Sequence, residues 1–124
     1  AAIVRDFGRV VDSEFKTATF QSGVVFAAEA GLPVRAVAAG RVRYAGWFQG
    51  YGRLVILDHG GGYYTVSGHL AEIAVSVGDG VAAGAPIGTV GDSGSLSGPR
   101  LYFEIRRGGE ALDPREWLAP RGRG

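Results

Sequence analysis

Short apolar runs separated by glycines are the feature that most constrains the fold of this 124-residue chain. Its 22 glycines are scattered along the sequence rather than gathered in a linker, which indicates tight turns between strands. The clearest run lies near the C-terminus, where Leu101, Phe103 and Ile105 alternate with Tyr102 and Glu104. A period of two predicts a β-strand with one face in the core. The sequence therefore predicts an all-β fold, a sheet roll or sandwich of short antiparallel strands.

Further strands are expected at other apolar runs, each bounded by glycine, proline or a turn. They are 24–26, 34–38, 41–48, 54–57, 63–70, 75–77 and 86–90. Residues 54–57 (LVIL) form a continuous apolar run, which is typical of a strand buried on both faces. Residues 91–95 (GDSGS) are predicted to form a loop, because they lack the strand, sharp turn and helix that surround a nucleophilic serine.

One helical turn is predicted close to the C-terminus. Residues 113–118 (DPREWL) offer an N-cap aspartate, a proline at the first helical position and an acid in the first turn. Its tryptophan and leucine are expected to pin this turn to the core. We assign 1–120 to one domain and 121–124 to a disordered tail, in keeping with the usual size of domains.

Composition excludes several classes of function. The chain has no cysteine, so it has no disulfide, no thiol nucleophile and no cysteine-ligated metal. The net charge is +1, with 13 basic and 12 acidic residues, which argues against nucleic acid as a partner. No apolar run approaches the roughly 20 residues that span a bilayer. Because the chain opens on Ala1 and not on methionine, we expect it to be a processed or excised piece of a longer protein.

The two histidines, His59 and His69, bear on whether the chain holds a metal. A catalytic zinc site usually takes three protein ligands, so both histidines and a carboxylate would be needed here. His59 lies at the edge of a glycine turn and His69 lies near the end of the following strand. Across a hairpin these positions diverge, so we interpret His59 as a turn residue and His69 as a groove or core residue.

Several motifs together resemble the LytM-type, lysostaphin-like zinc metallopeptidase domains of family M23. They include 31–42 (GLPVRAVAAGRV), the central 51–60 (YGRLVILDHG) with 68–70 (GHL), and 101–106 (LYFEIR). The glycine-rich stretch 77–88 and the Asp-Pro pair at 113–114 complete the pattern. The resemblance covers about 7–118 and implies the fold of that family.

The resemblance also implies that the metal ligands of this family are missing here. Active members hold zinc with a His-x-x-x-Asp pair and with the second histidine of a His-x-His motif. These positions fall on Gln21, Val25 and Tyr102, and the first histidine of His-x-His falls on Arg100. Valine has no donor atom, and glutamine and tyrosine are poor partners for zinc. The sequence therefore predicts no metal, no cofactor and no enzymatic activity.

What remains of the family's substrate cleft is expected to be a groove for a partner. A period of two places alternate residues of each strand on one face. Trp47 and Phe48 are expected to form an aromatic wall with Tyr51, since aromatic residues and arginine are common at interfaces. The predicted partner-binding residues are Val25, Tyr51, Ser67, His69, Arg100, Tyr102, Glu104 and Arg106.

The pattern is most similar to the EnvC-like activators of cell-separation amidases. That similarity implies that this chain is the C-terminal domain of a longer protein with an upstream coiled coil. It also implies a periplasmic location in a Gram-negative bacterium and a zinc-dependent N-acetylmuramoyl-L-alanine amidase as partner. The groove would bind a regulatory helix of the amidase and so promote septal peptidoglycan splitting. Two alternatives stay open: a peptidoglycan-binding module without catalytic activity, and a residual zinc endopeptidase.

Overall fold

The computed structural model describes residues 3–5, 8–12, 17–21 and 23–113, which form strands, turns and irregular segments without a helix. None of this part of the chain could therefore cross a membrane as a helix. Twelve strands lie within it: β1 (Ile3–Arg5), β2 (Gly8–Asp12), β3 (Thr17–Gln21), β4 (Val24–Ala27), β5 (Pro33–Arg35), β6 (Gly40–Phe48), β7 (Gly52–Gly60), β8 (Tyr63–Ile73), β9 (Gly80–Val81), β10 (Pro86–Val90), β11 (Arg100–Arg107) and β12 (Glu110–Leu112).

Ten of these strands form one antiparallel sheet in the order β1-β4-β11-β8-β7-β6-β9. Strand β10 pairs with β8 and with β5, and β12 pairs with the edge of β11. β2 and β3 form a separate two-stranded sheet. The predicted all-β fold of antiparallel strands is confirmed.

The centre of the sheet is the meander β6-β7-β8, whose turns follow from local sequence. Residues 49–51 connect β6 to β7, and Gly61 and Gly62 connect β7 to β8. Both of these glycines have positive φ, 63° and 86°, a conformation that is strained for other residues. Strand β7, which lies between these two turns, carries Leu54, Val55 and Leu57, all nearly inaccessible to solvent. Its burial on both faces is the predicted one.

The two faces of this sheet pack into different apolar clusters. One face, called the Tyr102 face below, carries Val25, Leu54, Val66 and Tyr102, with Tyr44, Tyr51 and Ile56 at their sides. On the opposite face, one cluster lies around Val55, Leu57, Leu70 and Ile87, and another consists of Val24, Phe103 and Ile105. β11 contributes residues to both faces. Phe103 and Ile105 are buried in one of these clusters, so their predicted assignment to the core is confirmed.

Two predicted strands differ from the structure. The strand expected at 75–77 is wrong, because the Asp79 carboxylate accepts a 2.9 Å hydrogen bond from the Ser76 amide and closes a turn there. A side chain that bonds nearby backbone in this way competes with strand pairing. The strand expected at 34–38 is shorter and ends at Arg35. The predicted helical turn after Asp113 and the predicted tail lie outside the described residues.

Candidate partner-binding cleft

The centre of the Tyr102 face is built by direct pairing of three strands. Tyr102 on β11 lies opposite Val25 on β4 and opposite Gly68 on β8. Val25 and Tyr102 are 5% and 6% exposed, so together they form the buried floor of this face, which we call the candidate cleft. The phenol ring lies over Gly23, where a Cβ would come within 2.8 Å of the hydroxyl oxygen. Only glycine leaves room for the ring in this position.

A buried carboxylate holds the Tyr102 side chain. The Tyr102 hydroxyl donates a 2.6 Å hydrogen bond to one oxygen of Glu104, which is 4% exposed. The other carboxylate oxygen pairs with the Arg106 guanidinium, which also donates to the carbonyl of Gly109 at 2.8 Å. The unbroken register of β11 keeps these side chains on one face, as predicted. Arg106 is thus an anchored charge rather than a freely solvated one.

Burial and Glu104 fix the protonation state of Tyr102. Loss of solvent on burial raises the pKa of the Tyr102 phenol far above its ordinary value, and the hydrogen bond and negative charge of Glu104 raise it further. The phenol therefore stays neutral and acts as a donor. It does not offer a phenolate oxygen to a cation.

Aromatic rings extend from Tyr102 toward the β6–β7 turn. The ring centroids of Tyr102 and Tyr51 are 5.0 Å apart, those of Tyr51 and Phe48 are 5.8 Å apart, and those of Phe48 and Tyr44 are 6.1 Å apart. Phe48 is half exposed and forms the rim. The predicted aromatic wall is wrong in one member: Trp47 pairs with Arg53 and so lies on the opposite face from Phe48.

Simple alternation along β8 does not correctly predict which of its residues lie on the Tyr102 face. Ser67 lies opposite Phe103 and Val55, so the expectation that it shares the Tyr102 face is wrong. A bulge at Gly68 and His69 shifts the register, since these two residues of β8 lie opposite the single residue Leu54 of β7. The bulge returns His69 to the Tyr102 face, where the two rings lie 6.5 Å apart, edge to face.

Arg100 occupies the start of β11, on the same face as Tyr102 by alternation. Its guanidinium donates a 3.1 Å hydrogen bond to the Ser97 carbonyl. Its Nε is the one buried side-chain nitrogen or oxygen without a hydrogen bond that the described part of the chain shows. Gly91 inserts between Arg100 and His69, accepting from the amide of the first and donating to the carbonyl of the second. Gly91 thus joins the backbones of Arg100 and His69.

The other histidine lies at the far end of the β7–β8 hairpin. His59 Nδ1 lies 2.9 Å from the Ala39 carbonyl oxygen, and Nε2 lies 2.8 Å from the Thr65 hydroxyl. Both ring nitrogens therefore have partners within the domain, one just before β6 and one on β8. The interpretation of His59 as a turn residue is wrong, because His59 lies within β7 and pairing extends past it to Gly60. His59 also borders a cavity of about 270 Å³ on the opposite face of the sheet, beside Tyr63 and Ile105.

With this geometry established, the relationship to known proteins can be stated. The model of peptidase family M23 matches residues 19–114. The chain belongs to peptidase family M23. Its fold agrees with that of the catalytic domain of lysostaphin from Staphylococcus simulans, with a TM-score of 0.79 and 28% identity over 97% of this chain and 91% of that domain.

Two curated relatives of this M23 domain carry different names. One is the murein hydrolase activator EnvC of Escherichia coli strain K12, 49% identical over 96 residues, which cover 77% of this chain and 23% of the relative. The other is the DD-carboxypeptidase/endopeptidase Mpg of Neisseria meningitidis, 35% identical over 108 residues, or 87% of this chain and 25% of the relative. The chain thus spans about a quarter of the length of either relative, 23% and 25%.

The side chains of this M23 domain do not fit the zinc centre that the family implies. Val25 has no donor atom, and the Tyr102 hydroxyl is committed to Glu104 as a proton donor. Gln21 is described only as the last residue of β3. Across the described residues, His, Cys, Asp and Glu side chains form no group of three that could hold a metal ion. Two of the three positions where the resemblance implies missing ligands, Val25 and Tyr102, pack in one apolar and aromatic cluster.

Sequence reasoning missed two contributors to this cleft. Tyr44 extends the row of rings. The sequence contains a signal for it, because alternation along β6 places Tyr44 on the same face as Phe48. Ser93 joins the loop between β10 and β11 to two other strands. Its hydroxyl donates to the Leu70 carbonyl on β8 at 2.6 Å and accepts from the Arg53 amide on β7 at 3.0 Å. No pattern in the sequence identifies a serine that bonds residues 23 and 40 positions away.

Proposed function

We propose that this domain is a non-catalytic activator of a zinc-dependent N-acetylmuramoyl-L-alanine amidase. In this proposal the cleft binds the regulatory helix of the amidase, relieves its self-inhibition and so promotes septal peptidoglycan splitting and cell separation. The observation that carries the proposal is the pairing of Val25 with Tyr102 at the floor of the cleft. Where the family's enzymes hold a metal, this chain has an apolar side chain and a neutral phenol.

The chemistry of that floor supports binding rather than cleavage. A zinc hydrolase needs ligands that leave one coordination position for an activated water. Valine supplies no ligand, and the raised pKa of the Tyr102 phenol opposes the deprotonation that coordination would need. His69 then has no metal-bound water on which to act.

The surface of the cleft suits an amphipathic helix. Such helices place apolar side chains in an apolar groove at a spacing of three and four residues. The rings of Tyr51 and the half-exposed Phe48 offer contacts for those anchors at one end. At the other end Arg106, whose side chain is 35% exposed, retains donors for an acidic or amide group of the partner.

The relatives and the substrate support the same role and its location. A relative at 49% identity is named a murein hydrolase activator. Because peptidoglycan lies outside the cytoplasmic membrane, an activator of its hydrolysis would work in the periplasm of a Gram-negative bacterium. The rest of such a protein, including the expected upstream coiled coil, would lie outside the sequence described here.

A second candidate is a peptidoglycan-binding module that kept the substrate cleft without its chemistry. The observation that favours it is the 35% identity to a DD-carboxypeptidase/endopeptidase, together with the fold shared with the catalytic domain of lysostaphin. Co-sedimentation with purified sacculi distinguishes the two candidates. Sedimentation of the domain without any effect on an amidase would favour this second role.

A binding isotherm with a purified amidase tests the first candidate. We expect the domain to bind the intact amidase and not a form that lacks its regulatory helix. Tyr102→Ala removes the floor, and Phe48→Ala removes a half-exposed rim side chain at little cost to folding, so both are expected to weaken binding. Trp47→Ala is the matched control, since Trp47 is 58% exposed on the opposite face. If Phe48→Ala and Tyr102→Ala bind like the wild type, the cleft is not the binding site.

A further inference from the structure

His69 is held in a backbone conformation that its side chain does not favour. Its φ is +63°, and it is the one residue other than glycine with positive φ in the described part of the chain. Its amide donates to the Tyr51 carbonyl at 2.7 Å, and its carbonyl accepts from the Gly91 amide at 3.0 Å. Glycine would adopt this bulge without strain, so the imidazole is present at a cost in stability. Strain of this kind is typical of functional sites.

The hydrogen bonds of the ring define its neutral tautomer. Nδ1 lies 2.8 Å from the carbonyl oxygen of Ser93. A carbonyl can only accept, so Nδ1 carries the proton and donates. In the neutral ring Nε2 is then left with a lone pair, and it can only accept a hydrogen bond.

Ser93 is itself fixed, so the orientation of the imidazole is fixed as well. Its hydroxyl is bonded to Leu70 and to Arg53 on two neighbouring strands. Its carbonyl passes so close to Gly52 that a Cβ there would lie 2.0 Å from the oxygen. The ring of His69 is thus positioned by a loop that is packed against β7, before any partner arrives.

The acceptor atom of His69 is unused by the described part of the protein. His69 Nε2 has no hydrogen-bond partner within the described residues, and it is not one of the fully buried side-chain atoms. It therefore keeps some accessible surface, although His69 as a whole is only 8% exposed. Because the His69 ring stands edge to face against Tyr102, with centroids 6.5 Å apart, this atom lies close to the floor of the cleft.

We propose that His69 Nε2 is a preset hydrogen-bond acceptor of the cleft that recognises an N–H or O–H group on the bound partner helix. This inference rests on the proposed function, because it names the chemistry that the partner must bring to that site. It assigns specificity to a residue that does no catalytic work. A helix carrying an amide, hydroxyl or ammonium side chain at that point fits, and one carrying an aliphatic side chain there does not.

Two substitutions separate recognition from a structural role. His69→Asn suits positive φ and keeps a donor for the Ser93 carbonyl, but it removes the acceptor at the Nε2 position. His69→Gln reaches the Nε2 position with an amide oxygen, but it loses the Nδ1 donor and tolerates positive φ less well. We expect His69→Asn to have the higher thermal stability and His69→Gln the higher affinity. Loss of the acceptor should weaken binding about tenfold.

The measurement is an isotherm of each folded variant with purified amidase, together with its Tm. The expected result is an affinity ranking opposite to the stability ranking. If affinity instead follows stability, or if His69→Asn binds like the wild type, His69 is structural and the inference is wrong while the amidase role stands. If the wild type fails to bind the amidase, the proposed function and this inference both fall.

Discussion

Tyr102 donates a hydrogen bond of 2.6 Å to Glu104, two residues along the same strand, and the carboxylate that accepts it is 4% exposed. The pair lies at the centre of the Tyr102 face, beside Val25. The hydrogen bond fixes the position of the Tyr102 ring and keeps its hydroxyl occupied as a donor. Arg106 completes the arrangement by neutralising the buried carboxylate.

The first prediction concerns stability at alkaline pH. Burial and the neighbouring Glu104 raise the pKa of the Tyr102 phenol in the folded state. Above its ordinary pKa of about 10 the unfolded chain loses this proton and the folded chain keeps it. The free energy of unfolding should therefore fall by about 1.4 kcal/mol per pH unit from this group, a dependence absent below about pH 9.

Tyr102→Phe should remove that component. We expect the free energy of unfolding, measured with urea between about pH 9 and about pH 11, to fall less steeply with pH in the variant. At the upper end of this range the difference in slope should correspond to nearly one proton. The other four tyrosines remain in both proteins, so the difference isolates Tyr102. Identical slopes for the two proteins would show that the phenol is not held neutral by the fold.

The second prediction compares two carboxylates in ion pairs. Glu104→Gln keeps an acceptor for the Tyr102 hydroxyl but removes the charge that faces Arg106, so it should lower the free energy of unfolding by about 1–3 kcal/mol. Asp58→Asn is the control, because the Arg43–Asp58 pair of 2.9 Å has side chains 57% and 26% exposed. That change should cost no more than about 0.5 kcal/mol. Equal losses in chemical denaturation would contradict the buried network.

The third prediction concerns the close approach of Tyr102 to Gly23. A Cβ at Gly23 would lie 2.5 Å from the Phe103 carbonyl oxygen, so Gly23→Ala must displace the backbone or the phenol ring. We expect a loss of about 1–3 kcal/mol, as for other overpacked sites, together with weaker amidase binding. Gly80→Ala is the matched control, since no atom lies within 4 Å of its added Cβ. Thermal unfolding of both variants checks this, and a stable Gly23→Ala would refute the packing of the floor.

The fourth prediction concerns metal. Because Val25 and Tyr102 offer no zinc ligand, the purified domain should carry zinc only in substoichiometric amounts. Treatment with a chelator should leave its Tm unchanged, whereas a structural or catalytic zinc stabilises the fold that binds it. Elemental analysis that finds one tightly bound zinc per chain would contradict the account of the cleft.

The sequence predicted those features that depend on regular strand periodicity. β11 keeps an unbroken register, so alternation correctly placed Tyr102, Glu104 and Arg106 on one face and Phe103 and Ile105 on the other. The family resemblance supplied the positions of the lost ligands. Membership in family M23 and the fold are confirmed by the comparisons.

Periodicity failed wherever the strand was irregular. Ser67 was assigned to the wrong face because a bulge at Gly68 and His69 is not visible in the pattern of apolar residues. Residues 75–77 were expected to form a strand because their two valines outweighed the turn that Asp79 makes with Ser76. Contacts between distant residues, such as Ser93 with Leu70, depend on the complete fold and leave no local signal.

The most direct test of the central claim is release of dye from labelled sacculi by three samples: the domain alone, a purified amidase alone, and the two together. We predict that the domain alone releases nothing, that it increases release by the amidase, and that Phe48→Ala lowers this increase while Trp47→Ala does not. Release by the domain alone that is abolished by a chelator would contradict a non-catalytic cleft. Absence of any increase with the amidase would contradict the activator role.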